Sequence, residues 1–494
     1  MSKKKWFPYD KGGEYRKWYG NNNFVLNWEN DGEEIVSLAS KLYGSASRTV
    51  KNREFYFYPG VTYTNIGSNT FSARYTEKGW ISDQAGSKCF SDSTAVLKGV
   101  IGLLHSNVGT EILKVLCPNH RFDAGSLASF PVIETCLNGK NLVNTSRLIE
   151  ISKSDWDSYE TSWDFKIFPI LSPEYRIKSL KTSYLRLRNH WVSITNEMLL
   201  LEEENNRIFI ETYDLQDEIF PAISTKEVTL NCNPTYRYGI KGTDEEREAR
   251  LKADTVAEFL SYAVGCMLGR YSLDKPGLVL ATQGDTLEEY LVKVPQPSYM
   301  PDKDNVIPMI DFEGEWFEDD ITERFKGFLK VTFGKEDFAE NLAFIEEAIG
   351  KDIKKYFVKD FYADHVKRYK KRPIYWLFTS PKGTFNALIY MHRYRSDTVS
   401  VVLNDYLREF RTKLQARKEI NEQVGISASA SQKDKTKAIK DINKINKALD
   451  EVNDYERDIL YPLAGQKIEI DLDDGVKTNY PKFGKALKNI TGLS

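Results

Sequence analysis

The 494-residue chain is 41% hydrophobic and 13% aromatic, enough to bury the cores of two to four domains, and its formal net charge of −2 gives no global sign of a polyanion binder. No run of about eighteen apolar residues is there to span a bilayer, and MSKKKWFPYDKGGEYRKWYG at the N-terminus has no apolar segment of the secretory-signal kind. A cytoplasmic location with no membrane partner is therefore expected, and Cys89, Cys117, Cys136, Cys232 and Cys266, scattered like the five histidines, read as reduced core thiols with no bound metal.

Residues 1–44 precede the first strongly patterned stretch. From 55 onward, FYFYPGVTYTNIGSNTFSARYTEKGWISDQAGSKCF alternates aromatic or β-branched residues with polar ones between glycine breaks, which predicts short twisted strands. After Ser93 the spacing of Val96, Val100, Leu103, Leu104, Ile112, Leu113 and Leu116 becomes helical, so 45–140 reads as a strand–helix–strand α/β domain. Residues 141–165 read as a polar connector. A long helix is predicted over 175–209 and another from 244 to Gly269, whose stripe is Val256, Phe259, Leu260, Ala263 and Val264; 141–300 is thus a helical domain. Past Pro295 the composition turns loop-rich, then 321–357 predicts two helices and RPIYWLFTSPKGTFNALIYM (372–391) two strands around a Pro-Lys-Gly turn. Leu403, Leu407, Phe410 and Leu414, echoed by Ile442, Ile445, Leu449 and Val452, predict an antiparallel helical hairpin across GISASASQ, within a C-terminal domain over 301–494. The class is α+β: a strand-rich domain, a mainly helical region and a helical hairpin.

Transfer of a methyl group to an amino group in DNA requires a Gly-rich turn after a strand for the methyl donor and an Asn/Asp-Pro-Pro-aromatic loop for the flipped base. The nearest string, Asn233-Pro234-Thr235-Tyr236, lacks the second proline and reads as a structural turn. A phosphate-binding P-loop and a Gly-x-Ser-x-Gly elbow are absent, and Asp311–Glu313 and Glu318–Asp319–Asp320 read as solvated acidic surface rather than a nuclease metal site. Segment 353–372, IKKYFVKDFYADHVKRYKKR, sets eight Lys/Arg against two Asp and interleaves Tyr356, Phe357, Phe361, Tyr362 and Tyr369. Lys367, Arg368, Lys370, Lys371 and Arg372 are its candidates for DNA phosphate contact, although an amphipathic helix with solvated lysines has the same pattern. Lys433, Lys435, Lys437, Lys440, Lys444 and Lys447 read as the wet side of the hairpin. In the N-terminal module, Tyr63, Asn65, Asn69, Arg74, Tyr75 and Lys78 fall on strands and turns from which side chains can reach base edges, arginine favouring guanine and asparagine adenine; a plain solvent face is the alternative.

The strings KGGEYRKWYGNNNFVLNWENDG (11–32), PGVTYTNIGSNTFSARYTEKGWISD (59–83), SKSDWDSYETSWDF (152–165), SYAVGCMLGRYSLDKPGL (261–278) and KRPIYWLFTSPKGTFNALIYMHRY (371–394) resemble the PglX adenine-specific DNA methyltransferases of BREX phage-defence systems, over most of the chain. The resemblance implies a catalytic domain with the S-adenosylmethionine site and an Asn-Pro-Pro-Tyr loop, then a target-recognition region, then a long helical part; this chain resembles the last two. Arg16–Lys17–Trp18–Tyr19 and Trp28–Glu29–Asn30 resemble the connection leaving the catalytic domain, and 71–131 is similar to the target-recognition domains of restriction-modification specificity proteins, ending at FDAGSLASFPV. No catalytic or cofactor-binding residue carries over, so the chain alone is expected to be inactive, with S-adenosylmethionine held by a full-length or partner catalytic domain. Implied partners are double-stranded DNA, a separate catalytic chain and other BREX proteins; the resemblance leaves open a silent specificity cassette, a subunit and an excised fragment. Two other readings stand beside it: a protein-interaction scaffold of the defence complex, and a degenerate stand-alone methyltransferase.

Overall fold

A computed structural model describes residues 4–66, 70–83, 85–137 and 141–493, and its class is the expected α+β, three small three-stranded sheets among many helices. The chain divides into two units: Met1–Phe165 with Arg186–Leu251, and Lys166–Leu185 with Lys252–Ser494.

In the first unit, residues 4–44 supply two strands of a sheet. Strand Trp6–Asp10 pairs antiparallel with Val25–Asn27 and parallel with Ile81–Ser82. Around Trp28, Val50 and Ile81, the apolar faces of Phe7, Tyr9, Leu26, Ile35, Val36, Tyr56 and Phe57 close a small core. The second sheet centres on Gly60–Tyr63, flanked antiparallel by Ala73–Thr76 and Lys88–Phe90, with Val61 opposite both Tyr75 and Cys89. Gly60 is required there, because a Cβ would sit 2.4 Å from the Cys89 carbonyl oxygen. Helices Thr94–His105 and Asn107–Leu116 follow, each opened by a serine, Ser93 or Ser106, whose hydroxyl accepts from a first-turn N–H. The strand expected to close the module is replaced by the short helix Ala124–Ala128, capped by Asp123. Nor is 141–165 a connector: Asn141–Asp157 is a helix, and the polar Thr145, Ser152 and Asp155 share its buried side with Leu148, Ile149 and Ile151. Those polar core residues hide the apolar period from a sequence reading.

In the second unit, Asn386–Tyr390 is the central strand between Ile307–Pro308 and Tyr375–Thr379, all antiparallel, with Leu377 opposite Leu388. All ten residues of the two longer strands are buried, so their apolar run is continuous rather than alternating. Helices Ile321–Phe333 and Phe338–Ile349 precede Ile353–Tyr356, which widens into a π-helical turn at Phe357–Phe361 and resumes as Tyr362–Arg368. The expected hairpin is present as Arg408–Ile426 and Gln432–Tyr455, burying Leu414, Ile445, Leu449 and Val452. Among the described residues, no helix is long and apolar enough to cross a membrane.

Candidate nucleic-acid interface

The first unit keeps most of its singled-out charge inside. Arg74 on the central sheet is 1% exposed; its Nη2 donates to Thr64 Oγ1 at 3.2 Å and its Nη1 reaches the Arg16 carbonyl at 3.5 Å. Burial, offset in part by Asp10, pulls its guanidinium down to about 10. Tyr63 is 2% exposed, its ring tilted against Phe71 with centroids 5.8 Å apart. Arg74 shares one face of the sheet with Thr62 and Tyr63 the other with Ala73, and both faces are packed, so both side chains are buried within the unit. Asn65 is half-buried at the strand end, where its carbonyl accepts from the Phe122 N–H at 2.9 Å. Tyr75 is half-buried and Lys78 exposed on the turn after Thr76, while Asn69 lies outside the described residues. Beside Lys78 the sequence reading missed an aromatic step: Trp80 stacks on Trp163 with centroids 5.7 Å apart, and Trp163 is 46% exposed.

Beneath this face runs a buried ionic spine built from the RKWYG string. Arg16 pairs with Asp155 at 3.0 Å, and Asp155 also accepts the Asn231 and Cys232 N–H groups at 2.8 and 3.0 Å. Lys17 pairs with Glu202, which also accepts from Trp18 Nε1 at 2.7 Å; Lys88 meets Asp10 at 3.1 Å. His105 lies against Trp18 with its Nε2 2.8 Å from the Ala73 carbonyl, and burial, then the charge of Lys17, lowers its pKa to about 3.

The second unit does the opposite with its lysines. A hollow of about 820 Å³ is lined by Lys359, Lys367, Lys370, Lys371, Lys382 and Lys488, with no carboxylate in its wall. Its floor is apolar, including Val358, Val366, Leu377 and Ile490, and Asn386, Asn489 and Thr491 add polar groups. All six lysines are exposed. Lys359 is paired with Asp311 at 2.5 Å; the other five have no carboxylate partner among the described residues.

Three pieces of chain build this groove. Helix Tyr362–Arg368 contributes Lys367 and stops in a turn where Lys370 and Lys371 both take left-handed backbone, φ 51° and 63°. The Lys371 N–H reaches back to the Val366 carbonyl at 2.8 Å and the Lys370 N–H to Lys367 at 3.0 Å, a helix stop that ordinarily uses glycine. Two consecutive non-glycine residues held there store strain of about 1 to 3 kcal/mol each, the kind of local conflict that gathers at functional positions. Arg368 and Arg372 lie on the same turn but do not line the hollow. Lys382 sits at the tip of the Pro-Lys-Gly turn, which Glu451 grips from the hairpin: its carboxylate accepts Ser380 Oγ at 2.6 Å, the Lys382 N–H at 2.7 Å and the Thr384 hydroxyl. Burial pushes the Glu451 carboxyl up, but these donors outweigh it and hold it below its usual range. Lys488 arrives from the C-terminal segment, whose Leu487 bridges to Phe378 and whose Lys488 N–H donates to the Leu377 carbonyl at 2.8 Å. Lys382 is a lone lysine in the turn TSPKGT and Lys488 the last of three spaced lysines in PKFGKALKN, so neither belongs to the basic run at 367–372.

The other candidates carry structural duties. Asn233 caps helix Pro234–Tyr238; its Nδ2 donates to the Thr225 and Val228 carbonyls at 2.8 and 2.9 Å and its Oδ1 accepts from the Thr235 N–H at 3.1 Å. Asp320 caps helix Ile321–Phe333. Asp319 accepts from the Tyr406 hydroxyl at 2.8 Å, beside the buried Asp302, which burial and then the like charge of Asp304 push up to about 7. Among the described residues no three His, Cys, Asp or Glu side chains converge as a metal site.

No protein-family model matches the chain. It is 34% identical over 508 residues to the adenine-specific methyltransferase BrxX of Escherichia coli O9:H4 (strain HS) and 36% identical over 509 residues to the adenine-specific methyltransferase PglX of Lacticaseibacillus casei (strain Zhang). Each match takes in 99% of this chain and 40% of the relative, so the chain spans about two fifths of the length of the curated relatives it matches. Over nearly its whole length, then, the chain is similar to part of two adenine-specific methyltransferases, in line with the resemblance read from its own strings.

Proposed function

We propose that this chain is the DNA target-recognition and C-terminal helical part of a site-specific adenine DNA methyltransferase of BREX phage defence, and that methyl transfer is supplied by a catalytic segment or chain outside it. The observation that carries the reading is the groove of the second unit, where five lysines without carboxylate partners face one hollow. Such a cluster repels itself, and an incoming row of phosphates relieves that repulsion while releasing counterions. Phosphate contacts of this kind set register and carry no sequence information. Base reading is assigned to Asn65, Tyr75 and Lys78 of the first unit, which are half-buried or exposed, with the Trp80–Trp163 step beside them, and to Asn69, which lies outside the described residues.

Asn233, in the string nearest to an Asn-Pro-Pro-aromatic loop, does not fit the amino group of a flipped adenine. The Asn233 amide is spent on three backbone groups, and no methyl-transfer step is assigned to this chain. The partners in this reading are double-stranded DNA, a catalytic methyltransferase segment and other proteins of the defence system.

Selection of random duplex DNA by the purified chain at two salt concentrations, followed by sequencing of the bound pool, tests it. Five phosphate contacts predict an affinity that falls roughly 500-fold between about 50 and 200 mM salt, with a defined motif recovered. No binding at the lower salt contradicts the proposal and favours a protein-interaction scaffold of the defence complex.

A further inference from the structure

We infer that the lysine face of helix Gln432–Tyr455 is a second DNA-backbone surface, continuous with the groove, so that one duplex lies along the hairpin and enters the groove at Lys382. The inference rests on the DNA-binding reading above and extends it to the lysines of the hairpin.

Lys433, Lys437, Lys440, Lys444 and Lys447 follow one another at intervals of four, three, four and three, which places them on one straight helical face. All five are exposed, and none has a carboxylate partner among the described residues. The facing helix of the hairpin treats its charges differently: Lys413 is paired with Glu409 at 3.2 Å and Lys418 with Glu422 at 3.9 Å, each one turn away. A solvated helix face usually intersperses signs in that second manner. The lysine helix also carries Asp434, Asp441 and Asp450, each within a turn of a stripe lysine, yet among the described residues none of the three is paired with one.

The stripe also leads somewhere. The next position on the same face, four residues after Lys447, is Glu451, the buried carboxylate that holds the Ser380–Thr384 turn and fixes the backbone of Lys382 at 2.7 Å. Lys382 and Gly383 are part of the groove wall. Near the same end, Lys444 lies over the Phe312 ring at 4.6 Å, and the Phe312 carbonyl accepts from Lys354 Nζ at 2.9 Å, adding another basic residue at the junction. From Lys433 to Lys447 the stripe spans about 21 Å at 1.5 Å per residue, a length over which a duplex presents on the order of a dozen phosphates. Glu451, by this geometry, is a positioning residue that joins the two basic surfaces.

The test uses the full chain and a duplex of about 30 base pairs, long enough to cover stripe and groove. Affinity is measured across a salt series for the parent and for K433Q/K437Q/K440Q, three exposed positions outside the groove. The expected result is a log affinity against log salt slope shallower by about 2.7, which leaves the 50 to 200 mM affinity drop roughly 40-fold smaller, with an unchanged melting temperature. A parent that binds and a variant with the same slope would overturn the inference alone, and would leave the stripe to an acidic protein partner. A parent that binds no duplex at low salt overturns the DNA-binding reading and the inference with it.

Discussion

In the first unit the Arg16 guanidinium meets Asp155 at 3.0 Å with both side chains at most 2% exposed, whereas in the second Lys367, Lys370, Lys371, Lys382 and Lys488 stand exposed around a hollow that has no acid in its wall. The residue types are the same and their consequences are opposite. A buried cation must be paired, because leaving it alone in a poor solvent for charge is far worse than the modest net gain of the pair. An exposed lysine carries no such requirement, so a cluster of them without acids is free to take an external anion. Basic residues in a sequence thus say little until their burial and their partners are known; in this chain the strand-borne Arg74 is internal architecture, and lysines on turns and a chain end form the accessible charge.

The contrast can be broken from the first unit outward. Asp155→Ala removes the partner of Arg16 and the acceptor of two backbone N–H groups at once, and should destabilise the chain by about 3 to 5 kcal/mol in urea unfolding while leaving the salt slope of DNA binding unchanged. A shift in that slope would mean that the buried spine belongs to the binding surface. Acid should act on the same unit through His105. Its folded pKa of about 3 lies below the ordinary 6.5, so between those values the unfolded chain binds the extra proton, and stability is full above pH 6.5 and lost as pH falls. Taking the pH from 7.5 to 5 should cost about 2 kcal/mol from this one group, a part of the acid sensitivity that His105→Gln should remove. The smallest effect is expected at the groove turn: Lys370→Gly relieves a left-handed lysine and should raise stability by about 1 kcal/mol while making the salt slope shallower by about 0.9. A stabilised variant with parental DNA binding would separate Lys370 from the interface.

Much of the second unit was legible because its elements obey simple periods. The apolar stripe ending at Gly269, the strand pair around Pro381–Lys382–Gly383 and the two heptad-spaced helices all stand where their spacing put them, Gly269 at φ 78° included. Helix Asn141–Asp157 was not legible, since Ser152 and Asp155 are buried for their hydrogen bonds and ion pair and, with the buried Thr145, break the apolar pattern. The groove was half legible. Lys367, Lys370 and Lys371 come from a basic run visible in one dimension, but Lys382 and Lys488 join them only because the strand pair and the Leu487–Phe378 bridge bring distant segments together. The burial of Tyr63 and Arg74 was not legible for the converse reason: a short strand shows alternation, and alternation does not say that both faces are packed.

The measurement that bears most directly on the central claim is the salt dependence of duplex binding by the full chain beside its K367Q/K370Q/K371Q variant. Three lost phosphate contacts predict a slope shallower by about 2.7, with melting temperature unchanged because glutamine carries the same left-handed backbone cost as lysine. Parent and variant that bind duplex DNA with the same slope would contradict the assignment of the groove to the DNA backbone.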